Sequence, residues 1–299
     1  MKSRSLVTSA VVALVWTFAG GTSVAGQAPA PRREAFKNLL TSLRSSRVIE
    51  LNFIWDAQAP LLPLNPPFAL GLVTSHKQTM GMIPGGIAFA ADMMFFSGQH
   101  GAPTIDALGH VSSNGKLSGG QDAAASEGAA GLSALGIETY PREKLVNRAV
   151  LLDVARVKGV ETLAPGYEIT PDDLESTAKA QAVEVRAGDS VLIRTGYGKF
   201  FTADKVRYMG FRPGVGEASA RWLASKQVFL AGTDTLTFDV VSEKGTVFPA
   251  HRILIGESGI HIVENFNLGT FLVKEYLRAP GKRFHVGHVL GQHRDDLLG

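Results

Sequence analysis

Two imidazoles and a carboxylate, His100, Asp106 and His110, fall within the stretch Gln99–His110, a segment punctuated by Gly101, Pro103 and Gly109. Gly and Pro at that density mark a loop or turn rather than a helix interior. Imidazole nitrogen and carboxylate oxygen are suitable ligands for a divalent ion such as zinc or manganese. The six-residue step from His100 to Asp106 is not a helical face, so it is a folded loop that would bring the two groups to one ion. His110 lies four residues beyond Asp106. Were the chain helical there, its imidazole would stack over the carboxylate and face the same cavity as a general acid or base. A lone histidine is more often a hydrogen-bonded structural residue. The metal reading therefore needs partners, and His251 and Glu264 supply them from the far end of the chain.

The elements that must carry these groups follow from the hydrophobic pattern. Phe36, Leu39, Leu40 and Leu43 recur at helical spacing, Val48–Phe53 is strand-like, and the four prolines of Pro60–Pro67 exclude a central strand there. Ile87–Phe96 reads as a strand or strand pair leading into the His100 segment, and the Gly/Ser/Ala-rich stretch 112–136 as an irregular excursion or a flap. Three compact apolar runs follow, Val150–Val154, Val191–Arg194 and Val228–Ala231. They are continuous rather than alternating, as in strands covered on both faces. Between them, Thr170-Pro171-Asp172-Asp173 has the N-cap, the N1 proline and the first-turn acids of a helix start. Gly216–Lys226 reads as another helix, Pro249–Leu254 as a short one stopped near Gly259, and Ile260–Phe266 as a strand. Strands alternating with helices predict an α/β layered domain.

At the start, Lys2 and Arg4 precede an apolar run from Leu6 to Ala19 and a small-residue site at Ser23-Val24-Ala25. This is the pattern of a secretory signal peptide over residues 1–25, with an uncleaved anchor as the alternative. A Pro/Ala-rich linker over 26–34 then leads to a single domain over 35–299. Such a chain would be exported, to the periplasm or beyond, with no membrane attachment after cleavage. Without the two leader cations the protein holds 28 basic against 27 acidic residues, and no basic run or basic helix face points to nucleic acid. There is no cysteine, so an exported fold rests on its core, and any metal takes N and O ligands.

The segment from His100 resembles the H-x-G-T-H-x-D-A-x-x-H pattern of the cyclase family, metal-dependent hydrolases that include kynurenine formamidase and isatin hydrolase. His100, Asp106, Ala107 and His110 match in order and spacing. The stretches Val150–Val154, Gly188–Gly196 and Gly232–Thr235 are similar to the same family, as is His251 followed by Gly259–Asn265. The resemblance runs from about Glu50 to about Phe271. It implies a swivelling β/β/α fold, a homo-oligomer, and hydrolysis of non-peptide C–N bonds in arylformamides or small cyclic amides. It also implies His100, Asp106, His251 and Glu264 as metal ligands and His110 as the catalytic acid/base.

The sequence departs from that pattern in two places. Thr104 stands where the family has a second histidine, and Ala102-Pro103 replaces Gly-Thr. A hydroxyl is a poor neutral ligand beside an imidazole, so one zinc or manganese ion is expected rather than two. Thr104 then becomes a substrate-pocket residue, with Asp234 as another. From about residue 272 the tail is divergent, with His285, His288 and His293 among polar residues, and is expected to pack poorly. His261 does not share the strand parity of Glu264 and is left out of the ligands. Phe95, Phe96, Phe238 and Phe248 are candidates for either core packing or an aromatic substrate wall. The expected activity is metal-assisted hydrolysis of a small amide. The rivals are a non-catalytic relative that binds a small ligand and an esterase or lactonase with the same site.

Overall fold

The computed structural model describes most of residues 49–95, 103–269 and 284–287, together with scattered positions between 34 and 44. The signal-peptide region, His100, Phe96 and the histidines His288 and His293 lie outside the described residues. Residues 1–48 and 49–299 form separate units. In the first, positions 34, 37, 38, 40, 41 and 44 are helical, in keeping with the periodicity around Leu39. No helix among the described residues is long and apolar enough to cross a membrane.

The second unit is mixed α/β, built on a six-stranded sheet in the order Phe284–Gly287, Val146–Asp153, Ser190–Arg194, Leu230–Thr233, His261–Glu264, Thr104–Ile105. The four middle strands are parallel to one another, and both edge strands run antiparallel to their neighbours. Consecutive parallel strands lie side by side, so every crossover steps in the same direction. Right-handed crossovers then put the connecting helices on one face. Pro171–Ala180 and Glu217–Ser225 are two of these, and a third connection combines a helical turn at Pro249–His251 with a π-helical stretch at Arg252–Glu257.

Strand parity divides the core in two. Val150, Leu152, Val191, Ile193, Ala231 and Ile262 pack against the helices through Leu174, Leu223 and Leu254. Their alternates Ala149, Leu151, Leu192, Leu230 and Val263 pack on the opposite face with Phe266, Leu268 and Leu51. Both faces are covered, which is why these strands read as unbroken apolar runs. The helix start at Thr170 forms as expected: its hydroxyl accepts from the Asp173 N–H, and the Asp173 carboxylate returns a bond to the Thr170 N–H, closing a capping box.

Two expectations need correction. The strand expected over Val48–Phe53 does not form at its described residues, 49–53; Leu51 instead accepts a backbone bond from the Asn267 N–H and packs on the sheet as part of an irregular segment. Among the described residues of Ile87–Phe96, Ala91–Phe95 is the strand, paired antiparallel with Ala69–Thr74. That hairpin is exposed along most of both strands. Of the divergent tail, the described residues are Phe284–Gly287, which form an edge strand of the sheet; the rest lies outside the described residues.

Candidate metal centre

Asp106 is held by its backbone before its side chain does anything. It follows the Thr104–Ile105 strand, which pairs with Glu264 and Val263, and its N–H donates to the Ile262 carbonyl at 2.8 Å. Its own carbonyl accepts from Nδ1 of the buried His261 at 2.8 Å. That bond requires a proton on Nδ1. Burial lowers the His261 pKa, so the ring is a neutral structural donor at neutral pH. Val263, the parity alternate of Ile262, packs on the face away from the helices, and the His261 ring lies against Phe229 and Tyr140. The exclusion of His261 from the ligands by parity fits this placement.

His251 enters from the helical turn that opens at Pro249. Its Nε2 lies 3.3 Å from Oε1 of Glu264 and 3.5 Å from Oδ2 of Asp106. All three side chains are buried. Glu264 ends its strand, at the carboxyl edge of the parallel sheet where ligands of α/β folds gather, and its Oε1 also accepts from the Phe238 N–H at 3.0 Å. His110 is half-buried, and its ring is edge-on to His251 at 6.3 Å between centroids. Asp106, His110 and His251 each offer a ligand atom within 4.8 Å of the others. The side chains from residues 106, 110, 251 and 264 therefore converge, and His110 stands close enough to be a ligand as well as an acid/base. His100 lies outside the described residues.

A fifth residue was not legible in the sequence. The carboxylate of Asp239, fully buried, contacts Nδ1 of His251. Asp239 also accepts from the Ala250 N–H at 2.6 Å and the His251 N–H at 3.2 Å. These are orphan donors at the start of the His251 helix, whose N-cap Phe248 has no side-chain cap bond. One carboxylate thus caps the helix and sets the ring that the helix presents. A carboxylate on Nδ1 leaves the Nε2 lone pair free for a cation, the usual arrangement behind a metal-bound histidine.

The charge balance also suits a cation. Three carboxylates, Asp106, Asp239 and Glu264, surround one imidazole. Burial works against the imidazolium, but these acceptors outweigh it and raise the His251 pKa well above its ordinary value. Oδ2 of Asp106 is buried, and apart from the 3.5 Å approach of His251 Nε2 it has no hydrogen-bond partner, so a bound ion would satisfy it. The nitrogen and oxygen donors fit zinc or manganese.

The remaining pocket candidates separate. Thr104 is the cross-strand partner of Glu264, and its buried hydroxyl makes no hydrogen bond. Asp234 is instead committed to a turn. It accepts from the Thr195 N–H at 2.8 Å, the Thr195 hydroxyl at 2.6 Å and the Gly196 N–H at 2.9 Å. Asp153, at another strand end, pairs with Arg194 at 2.8 Å. Of the four phenylalanines, Phe238 is core, Phe95 is exposed on the hairpin, and Phe248 meets the His251 ring edge-on at 5.5 Å.

The fold is shared with known proteins. The Cyclase family model matches residues 47–240. Among solved structures, one described as a novel cyclase is 25% identical, with a TM-score of 0.71 over 82% of each chain. An isatin hydrolase bound to the product analogue thioisatinate is 19% identical, with a TM-score of 0.60 over 78% of this chain and 85% of its own. Isatin hydrolase A from Labrenzia aggregata is 20% identical, with a TM-score of 0.58 over 78% of this chain and 86% of its own. No curated protein matches by sequence.

Proposed function

This chain belongs to the cyclase family, and we propose on that premise that it is a metal-dependent hydrolase of a small amide, an arylformamide or a cyclic amide or imide. The observation that carries the reading is the convergence of Asp106, His110 and His251 within 4.8 Å, with Glu264 3.3 Å from His251. Asp106, His251 and Glu264 would hold one zinc or manganese ion, with His100 as the ligand that the family pattern adds. The ion, when bound, supplies Lewis acidity for the amide carbonyl and for a water. Hydrolysis forms a C–O bond and breaks the C–N bond, and the leaving nitrogen must gain a proton. His110 is assigned that transfer as general acid/base. Asp239 keeps the His251 lone pair aimed at the site, and His261 fixes Asp106 through its carbonyl.

Two further proposals accompany this reading. The protein is exported by its leader to the periplasm or beyond. It also works as a homo-oligomer. Ten large apolar side chains left exposed fall between Leu72 and Phe95, where only Lys77 and Asp92 are charged. Exposed apolar side chains gathered in one stretch in this way support an interaction surface.

Elemental analysis of the purified protein, with hydrolysis assays on an arylformamide and on isatin, tests the function. About one ion per chain and turnover of either substrate are expected. Thr104, in place of the family's second histidine, favours one alternative, a non-catalytic relative that binds a small ligand. Absence of a bound ion after zinc or manganese addition would select that alternative. An ester or lactone substrate would emerge from the same panel.

A further inference from the structure

Arg212 is only 5% exposed, and among the described residues its guanidinium meets no carboxylate at ion-pair distance. Its Nε donates to the Thr237 hydroxyl at 2.9 Å, and its Nη1 donates to the carbonyls of Met209 at 2.9 Å and Gly210 at 2.8 Å. A guanidinium taken out of water without an acid beside it is unfavourable. Burial pushes its pKa down, and Glu264 is the foremost of the charges that hold it up.

Thr237 passes the contact on. Its hydroxyl donates to the Asp239 carbonyl at 3.1 Å. Between them, the Phe238 N–H donates to Oε1 of Glu264 at 3.0 Å, and the Asp239 carboxylate contacts Nδ1 of His251. Three consecutive residues, 237–239, thus connect Arg212 to two of the candidate ligands. The same strip is laced by its backbone to the segment that opens at Arg212. The Arg212 N–H donates to the Val241 carbonyl at 3.0 Å, the Val241 N–H returns a bond at 3.1 Å, and the Val215 N–H donates to the Phe238 carbonyl at 3.0 Å. Gly214 lies so close that a Cβ there would meet the Asp239 carbonyl carbon at 2.4 Å. No side chain could separate the two segments at that point.

We propose that Arg212 is a positioning residue of the metal centre. Through the Thr237 hydroxyl it fixes the strip 237–239, and with it the spacing between Glu264 and His251. The inference rests on the metal-centre reading and extends it to a residue that makes no hydrogen bond to any candidate ligand. The planar guanidinium fixes direction as well as distance, which the flexible ammonium of a lysine would not. With that guanidinium donating to its oxygen, the Thr237 hydroxyl turns its own proton to the Asp239 carbonyl.

Two measurements on the full chain test this: zinc affinity by chelator competition, and the histidine ring signals of the ion-free protein by NMR. Thr237→Val removes the hydroxyl at nearly constant shape. It should weaken zinc binding about tenfold and shift the His251 ring signals, while those of His261, held by the Asp106 carbonyl, stay in place. Thr237→Ser keeps the hydroxyl and should bind zinc as the wild type does. Arg212→Met should lose at least as much as Thr237→Val, and the double variant no more than Arg212→Met alone, because the two act along one path. Should Arg212→Met fail to fold, the two Thr237 variants decide. A merely structural role would lower the Tm of Thr237→Val and leave its zinc affinity and His251 signals as in the wild type; that result would overturn the inference. A double-variant loss equal to the product of the single losses would overturn it as well. If the wild type binds no zinc, the metal-centre reading fails instead, and the His251 signals of the ion-free variants still decide whether Arg212 sets that ring.

Discussion

Asp239 and His251 are joined twice: carboxylate to ring Nδ1, and the same carboxylate to the His251 backbone N–H. The ring and the turn beneath it are therefore oriented by one buried group. Replacing Asp239 with Asn places an amide N–H against the Ala250 and His251 donors and disturbs both roles. Zinc affinity, measured by chelator competition, should fall about 10–100-fold. His251→Ala should abolish metal retention while far-UV CD stays nearly unchanged, because the parallel-strand core is independent of the ring. Full metal retention in His251→Ala would show that the ring is not a ligand.

Thr104 faces Glu264 across the strand pair with an unbonded hydroxyl. Introducing histidine there adds an imidazole beside the existing carboxylates. Thr104→His should bind zinc more tightly, by tenfold or more, or take up a second ion per chain. Unchanged affinity and stoichiometry would show that the loop around Pro103 has rearranged away from the family's arrangement.

The ion-free site has a defined pH response. Burial opposes charge on His251, but the Asp106, Asp239 and Glu264 carboxylates raise its pKa well above the ordinary value. This raised pKa stabilises the ion-free fold fully below the unfolded histidine pKa of about 6.5. The contribution is lost as pH rises through the folded value. An ion must displace that proton from Nε2, so its apparent affinity should climb as pH rises, by up to about tenfold per pH unit below the folded pKa. The rise in Tm on zinc addition, followed by calorimetry between pH 6 and pH 8, should therefore grow with pH. A constant increment would contradict the proton exchange.

Asp234 separates a structural role from a substrate role. Burial pushes its carboxyl pKa up even though Thr195 and Gly196 donate to it. Asp234→Asn points an amide N–H at those donors and should cost about 1–3 kcal/mol of stability, read from urea denaturation. Metal content should not change. A large rise in KM at unchanged stability would return Asp234 to the pocket.

What the sequence revealed depended on how locally each feature is specified. The unbroken runs at Val150, Val191 and Val228 announced buried parallel strands because both of their faces meet apolar neighbours. Thr170-Pro171 announced a helix because every group in its capping box lies within four residues. Asp106, His251 and Glu264 were recoverable only through the family pattern, since no spacing rule links positions 106 and 264. Asp239 left no local trace: an acid after Thr237-Phe238 looks like any turn residue until the chain returns at Ala250. The strand expected over Val48–Phe53 misled because Leu51 is recruited by the sheet face and Phe53 by Phe201, without a neighbouring strand.

The apolar hairpin at 69–95 ends five residues before His100. If a second copy grips that arm, assembly also fixes the point from which the chain leads to His100. Turnover per chain would then respond to dilution, with the dissociated protein retaining its fold but losing its grip on the ion.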